Sequence, residues 1–249
     1  MVMKISALIV ARNEEKKIES TLKSLNFADE IIVILDRTTD KTESICRKYT
    51  KKIFKGGWQS EGERRNFGIK NCNFTWILEI DADEIINRDL SAEIINAIKS
   101  ESFDYYYIRL VNYIGKKAIK FGWMACMAPD GKFCLFKKKS KYWLNGRVHP
   151  SYKIHGRKGK GLENYIIHNM SDNISDLLKR FNRNTSFNAI DLVEQNYKLE
   201  KLFSIRKVVS RFLKCYIARK GFLCGKEGFT ISLLSAIYPF VSAMKAKYD

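Results

Sequence analysis

The sequence has six cysteines (Cys46, Cys72, Cys126, Cys134, Cys215, Cys224) but no CxxC pair and no zinc-ligand spacing. Their scatter argues against a metal-stapled fold or a disulfide framework and fits reduced thiols in a reducing compartment. No internal repeat or low-complexity segment is visible, which sets aside repeat arrays and disordered tracts. Long apolar runs are also missing. The best candidate, "FTISLLSAIYPFVSAM" (229–244), is shorter than the ~20 residues a span needs, and Pro239 interrupts it. The opening "ISALIVA" has no small-residue cleavage pattern and runs straight into "RNEEKK", so it does not read as a signal peptide, and the cytoplasm is the expected compartment. Acid is scarce: 27 Asp and Glu face 45 Lys and Arg, a formal charge of +18. Such a charge speaks of partners rather than of fold, with nucleic acid, anionic lipid and an anionic substrate as the open classes.

What is present is globular. Hydrophobic residues make up 45% and aromatics 12% of 249 residues, enough for one large domain or a domain with an extension. Apolar runs rich in branched residues at 5–10, 30–35 and 75–80, with a shorter one at 52–55, predict strands buried on both faces. Between them, residues 14–25, 40–49 and 60–71 predict helices, with Asn13 and Asp40 as N-caps. This alternation predicts an α/β fold with a mostly parallel sheet flanked by helices. Residues 104–114 and 132–138 read as further strands, and 139–165 as a Gly- and Lys-rich loop region. From about Asn173 the pattern turns helical, with Ile174, Leu177, Leu178, Phe181 and Leu192 on one face. A second stripe, Ile205, Val208, Val209, Phe212, Leu213 and Tyr216, lies opposite Arg206, Lys207, Arg211, Lys214 and Arg219. The expected division is 1–172, split into 1–100 and 101–172, followed by a basic, amphipathic helical extension, 173–249.

In a parallel sheet, ligands bind outside the carboxyl ends of the strands. Asn13 and Glu14, then Asp36, then Asp81, Asp83 and Glu84 all follow strands and are expected along one edge. "DAD" (81–83) places two carboxylates one residue apart, a pattern that suits Mg²⁺ or Mn²⁺ bridging to substrate phosphates. Each residue has a plainer reading as a turn former or helix start, and it is their common position that favours a site.

These motifs resemble the nucleotide-binding half of inverting GT-A glycosyltransferases of family 2. The resemblance rests on "ALIVARNEEKKIESTLKSL", "IIVILDRTTDKT" and "WILEIDADE". "GERRNFGI", "APDGKFCLFKK", "GRVH", "LLKRFNRNTS" and "ARKGFLCGKEGFTISLLSAIYPF" are similar to the bacterial branch that contains lipopolysaccharide core β-1,4-glucosyltransferases. The resemblance implies a GT-A Rossmann-like fold and a nucleotide-sugar donor, with UDP and glucose the implied nucleotide and sugar. It implies that Ala11, Arg12, Asn13 and Glu14 line the nucleoside pocket, that Asp36 contacts the base, and that Asp81 lies near ribose and diphosphate. Asp83 becomes the principal ligand of Mg²⁺ or Mn²⁺. Arg64 or Arg65 would approach the nucleotide, with a solvated helix face as the plain alternative.

Two departures stand out. "DRTTD" is shorter than the family's usual loop and lacks its glycine, and Pro150 follows His149 where the branch commonly has Glu. Inverting transfer needs a base for the acceptor hydroxyl. Asp130 is a candidate base, and its plain reading is a Pro-Asp-Gly turn. His149 is a candidate catalytic residue and a candidate metal or phosphate contact, and His168 is similar as such a contact. An anionic glycolipid or cell-envelope glycan acceptor and an anionic membrane surface would account for the basic charge, and would put the chain on the inner face of the cytoplasmic membrane. No nucleic acid is expected as partner, for lack of a binding motif. A basic nucleic-acid- or lipid-binding protein, or an inactive family member acting as a binding module, are the alternatives.

Overall fold

The computed structural model describes residues 3–147 and 150–249. Its elements, in chain order, are β1 (Ile5–Ala11), α1 (Ile18–Ser24), β2 (Glu30–Asp36), α2 (Thr42–Cys46), β3 (Ile53–Gly56), α3 (Glu61–Asn71), β4 (Trp76–Asp81), β5 (Glu84–Ile85) and α4 (Arg88–Ala97). There follow β6 (Tyr105–Ile114), β7 (Lys117–Ile119), β8 (Gly131–Lys137), β9 (Lys141–Trp143), β10 (Tyr152–Ile154), β11 (Tyr165–Ser171), α5 (Ile174–Glu194), α6 (Ile205–Leu213) and α7 (Gly225–Tyr248).

The main sheet runs β3-β2-β1-β4-β8-β6-β11-β5, with β7 on β6. From β3 to β4 it is parallel; β8 then joins β4 antiparallel, and β6 joins β8 antiparallel. The α/β class is as expected, and the sheet is mixed, its second half built from the region after residue 100 apart from the two-residue edge strand β5. β9 and β10 form a separate hairpin inside the region read as loop.

The chain divides into two compact units whose segments alternate along the sequence. One comprises residues 3–110, 131–146 and 150–168; the other comprises 111–130, Arg147 and 169–249. Residues 111–130 therefore belong with the helical tail and not with the rest of 1–172.

In the first unit, period-two alternation sorts side chains to two layers. Ile5, Ala7, Ile9 and Ala11 of β1 join α1 and α4 in one core, while Leu8 and Val10 join Ile69 and Cys72 at α3 in another. With both faces covered, the interiors of β1, β2 and β4 are apolar except for Ser6 and Glu79. Ser60 caps α3 and closes a capping box with Glu63. The first helix starts later than expected. Asn13 takes a left-handed φ of 54°, and its side chain accepts from the Thr39 amide, so α1 begins at Ile18 with no side-chain cap.

In the second unit, Ile114, Trp123, Met170, Leu177, Ile231 and Tyr238 belong to one core. Asn173 caps α5, accepting from the Asp176 amide at 2.9 Å. The apolar 229–244 stretch is the middle of a longer helix than expected, α7, which contains Pro239. By length and composition, Gly221–Tyr248 is the one stretch among the described residues that could cross a membrane. All six cysteines are free, and burial raises the thiols of Cys46 and Cys126 to about 11 and those of Cys72 and Cys134 to about 12.

Candidate active site

Register places the expected residues side by side in the first unit. Val10 pairs with Asp81, Ala11 with Leu35, and Asp36 with Gly56, so the carboxyl ends of β1, β2 and β4 form one edge. Ala11 is buried, Arg12 and Asn13 are exposed, and the Glu14 amide donates to Thr42 Oγ1 at 2.8 Å. Asp36 is buried: Arg64 Nη1 donates to its Oδ2 at 3.1 Å and the Trp58 amide to its Oδ1 at 3.3 Å. Trp58 and Phe67 pack nearby with ring centroids 5.3 Å apart.

Asp81 is held between two cations. Arg65 Nη2 donates to Oδ1 at 2.8 Å and Lys132 Nζ to Oδ2 at 3.1 Å. Burial opposes ionisation of Asp81, but Lys132 and Arg65 outweigh it and hold the carboxyl well below the usual range. Lys132 also donates to Glu84 Oε2 at 2.6 Å, an oxygen that accepts from the Asp81 amide as well. Glu84 is buried, its Oε1 meets no hydrogen-bond partner, and burial raises its pKa. Asp83 is buried too, with His168 Nε2 3.5 Å from its Oδ1. His168 reaches this place because β11 pairs with β5, setting it directly opposite Glu84.

Behind the edge lies a charged group that sequence reading did not find. Glu79, inside β4, accepts from Arg65 Nη1 at 2.6 Å, Lys141 Nζ at 2.9 Å and Trp143 Nε1 at 3.2 Å. Lys141 Nζ sits 4.0 Å from the Trp143 ring centroid, and the Arg65 guanidinium 5.0 Å from it. The available signal was Glu79 itself: a carboxylate in a strand buried on both faces requires a cation beside it.

Arg64 and Arg65 are aimed by α3, which passes close to residues 144–146. A Cβ on Gly62 would lie 2.0 Å from the Leu144 carbonyl oxygen. Gly62→Ala must therefore displace backbone. It is expected to cost about 1–3 kcal/mol, a Tm loss of roughly 2–12 °C by calorimetry.

One expected residue is placed elsewhere, and another is not described. Asp130 belongs to the second unit, where it is exposed with Oδ2 3.8 Å from Arg219 Nη1. His149, considered as a metal or catalytic residue, lies outside the described residues. Asp81, expected to share the metal, accepts from Arg65 on one oxygen and from Lys132 on the other, and Asp83 and His168 are the carboxylate and imidazole next to it.

Among the described residues, no three His, Cys, Asp or Glu side chains form a ready metal cage. The donors present nonetheless suit an ion that takes one or two protein ligands and leaves its other positions to water and phosphate, as Mg²⁺ does. Asp83 is the carboxylate that such an ion would take; beside it, burial opposes protonation of His168, but Asp83 outweighs it and raises the imidazole's pKa. The residues fit a divalent cation.

A model of glycosyl transferase family 2 matches residues 6–154. An uncharacterized glycosyltransferase of Rickettsia typhi is 28% identical over 98% of this chain and 87% of its own length. The lipopolysaccharide core biosynthesis glycosyltransferase LpsC of Rhizobium meliloti is 23% identical over 97% of this chain and 91% of its own. Among solved structures, glucosyl-3-phosphoglycerate synthase of Mycobacterium tuberculosis, in complex with Mg²⁺ and UDP, is similar over 44% of each chain, with 22% identity and a TM-score of 0.37. The chain thus spans less than half the length of that solved structure. Matched by the family model over more than half its length and by relatives along nearly all of it, the chain belongs to glycosyl transferase family 2 and is a glycosyltransferase.

Proposed function

We propose that the chain moves a hexose, glucose first among the candidates, from a UDP-sugar to a lipopolysaccharide-core or other cell-envelope glycan, with inversion and with Mg²⁺ or Mn²⁺ bound. The observation that carries this reading is the edge where Ala11, Asp36, Asp81 and Asp83 converge with Arg64, Arg65, Lys132 and His168. A cleft of carboxylates alone would repel a diphosphate; one with fixed cations and a divalent ion would accept it. The LpsC relative supports an envelope glycan as acceptor.

Asp83 and His168 would hold the ion, which when bound would neutralise charge developing on the diphosphate leaving group. Arg65 and Lys132 fix Asp81 in one position and keep it ionised, ready to accept a ribose hydroxyl. Asp36, held by Arg64 and the Trp58 amide, offers the base a polar partner beside the Trp58 ring.

Thermal unfolding with UDP, with Mn²⁺ and with both tests the donor site. At 100 times its dissociation constant a ligand adds about 2.7 kcal/mol, a rise of roughly 5–10 °C. The expected result is a rise that needs both components. No rise with UDP or any other nucleoside diphosphate, with metal present, would overturn the reading.

A further inference from the structure

The second unit leaves one helix face uncovered. α6 carries apolar residues on two adjoining arcs. Phe212, with Tyr216 of the π-helical turn Lys214–Ala218 that follows, packs against Phe229 of α7 at ring-centroid distances of 5.6 and 5.8 Å. The other arc faces solvent: Ile205 is 66% exposed, Val209 52%, Leu213 46% and Ile217 57%. The sequence reads as a single stripe, and the structure splits it. Phe222 and Leu223, on the following short turn, are 49% and 58% exposed. Side chains of this kind exposed along four helical turns call for an occupant.

Charge names the occupant. Seven lysines and arginines and no acidic residue occur from Ile205 to Lys226, both ends included. Arg206 and Lys207 are exposed on α6, Lys214 on the π-helical turn that follows, and Lys220 and Lys226 near Phe222 and Leu223. We propose that this face docks on an anionic lipid bilayer, with Ile205, Val209, Leu213, Ile217, Phe222 and Leu223 entering the headgroup layer and the flanking cations meeting lipid phosphates. A second copy is the weaker occupant, because a twofold contact over the stripe would bring the same cations together. α7 acts as the scaffold: Ile231, Leu234 and Tyr238 are in the core of its unit, and it packs along α5 and α6. The face therefore lies on a membrane and does not cross it. The inference does not depend on the donor site.

Co-sedimentation of the full chain with phosphatidylcholine vesicles, with and without about one-third phosphatidylglycerol, tests it. Binding is expected only with the anionic lipid. Raising salt from about 0.1 M to about 1 M cuts the screening length from about 10 Å to about 3 Å and is expected to weaken binding about tenfold or more. Val209→Ser with Leu213→Ser and Ile217→Ser is expected to weaken it about tenfold or more as well. The substituted side chains are exposed, so Tm and the UDP–Mn²⁺ rise serve as checks of fold. Arg206→Gln with Lys207→Gln and Lys214→Gln is expected to remove the preference for anionic lipid. Absence of vesicle binding, or binding that the apolar substitutions leave unchanged, would overturn the proposal. So would a concentration-dependent dimer, or binding to duplex DNA, that depends on these residues in place of the lipid.

Discussion

Asp83→Asn is expected to lower kcat/KM by about 10²–10³-fold while leaving the fold intact, the scale of removing a group that stabilises transition-state charge. The side chain is buried, so a truncation would leave a hole; asparagine keeps the shape and removes one negative charge. That charge is what a divalent cation needs beside His168, whose Nε2 lies 3.5 Å away. In the metal-free protein asparagine still faces His168 Nε2 but without the carboxylate charge, so the midpoint without ligands is the check that the fold is kept. The combined rise with UDP and Mn²⁺ should disappear. Turnover and the ligand-linked rise must fall together. A variant that kept metal-dependent turnover would show that Asp83 does not hold the ion.

The strand ends that make this site were legible in the sequence for a physical reason. β1, β2 and β4 are buried on both faces, so an acid can follow them only where the sheet meets solvent, and Asp36 and Asp81 mark those points. α4 was legible too, but was not read: Asn87 accepts from the Leu90 amide at 2.8 Å, and Leu90 and Ile94 recur at helical spacing. What the sequence did not reveal depends on contacts between distant residues. Lys132 reaches Asp81 and Glu84 because β8 runs antiparallel to β4, with Leu135 opposite Leu78. His168 reaches Asp83 through the two-residue strand β5. Neither pairing leaves a local pattern. Asn13 is instructive in the same way: its composition suits a helix cap, but Thr39, 26 residues on, captures its side chain.

The charged layer beneath the site predicts the largest stability effect. Glu79 is buried and is the carboxylate partner of Lys141, which is itself buried. Glu79→Gln leaves Lys141 with the Phe133 carbonyl, 3.0 Å away, and aromatic rings. Arg65 fares better, since it keeps Glu61 and Asp81. Breaking one side of a buried pair costs about 3–5 kcal/mol, a Tm loss of roughly 6–20 °C for a chain of this size. The defect should depend on pH. Burial already pushes the Lys141 pKa down, even against the pull of Glu79, and removing Glu79 pushes it down further. Between that depressed value and the unfolded value of about 10.4, the unfolded chain binds more protons, so stability rises with pH. The variant's deficit is therefore expected to shrink from about pH 7 to about pH 9, measured by calorimetry against the parent protein. Adding Lys141→Met removes the stranded ammonium and is expected to recover most of the loss, because deleting both partners of a buried pair is often neutral. A deficit equal at both pH values and unrelieved by Lys141→Met would mean that Glu79 serves Arg65 alone. Activity would then fall with the position of the guanidinium at Asp81, and the ammonium would have no part in it.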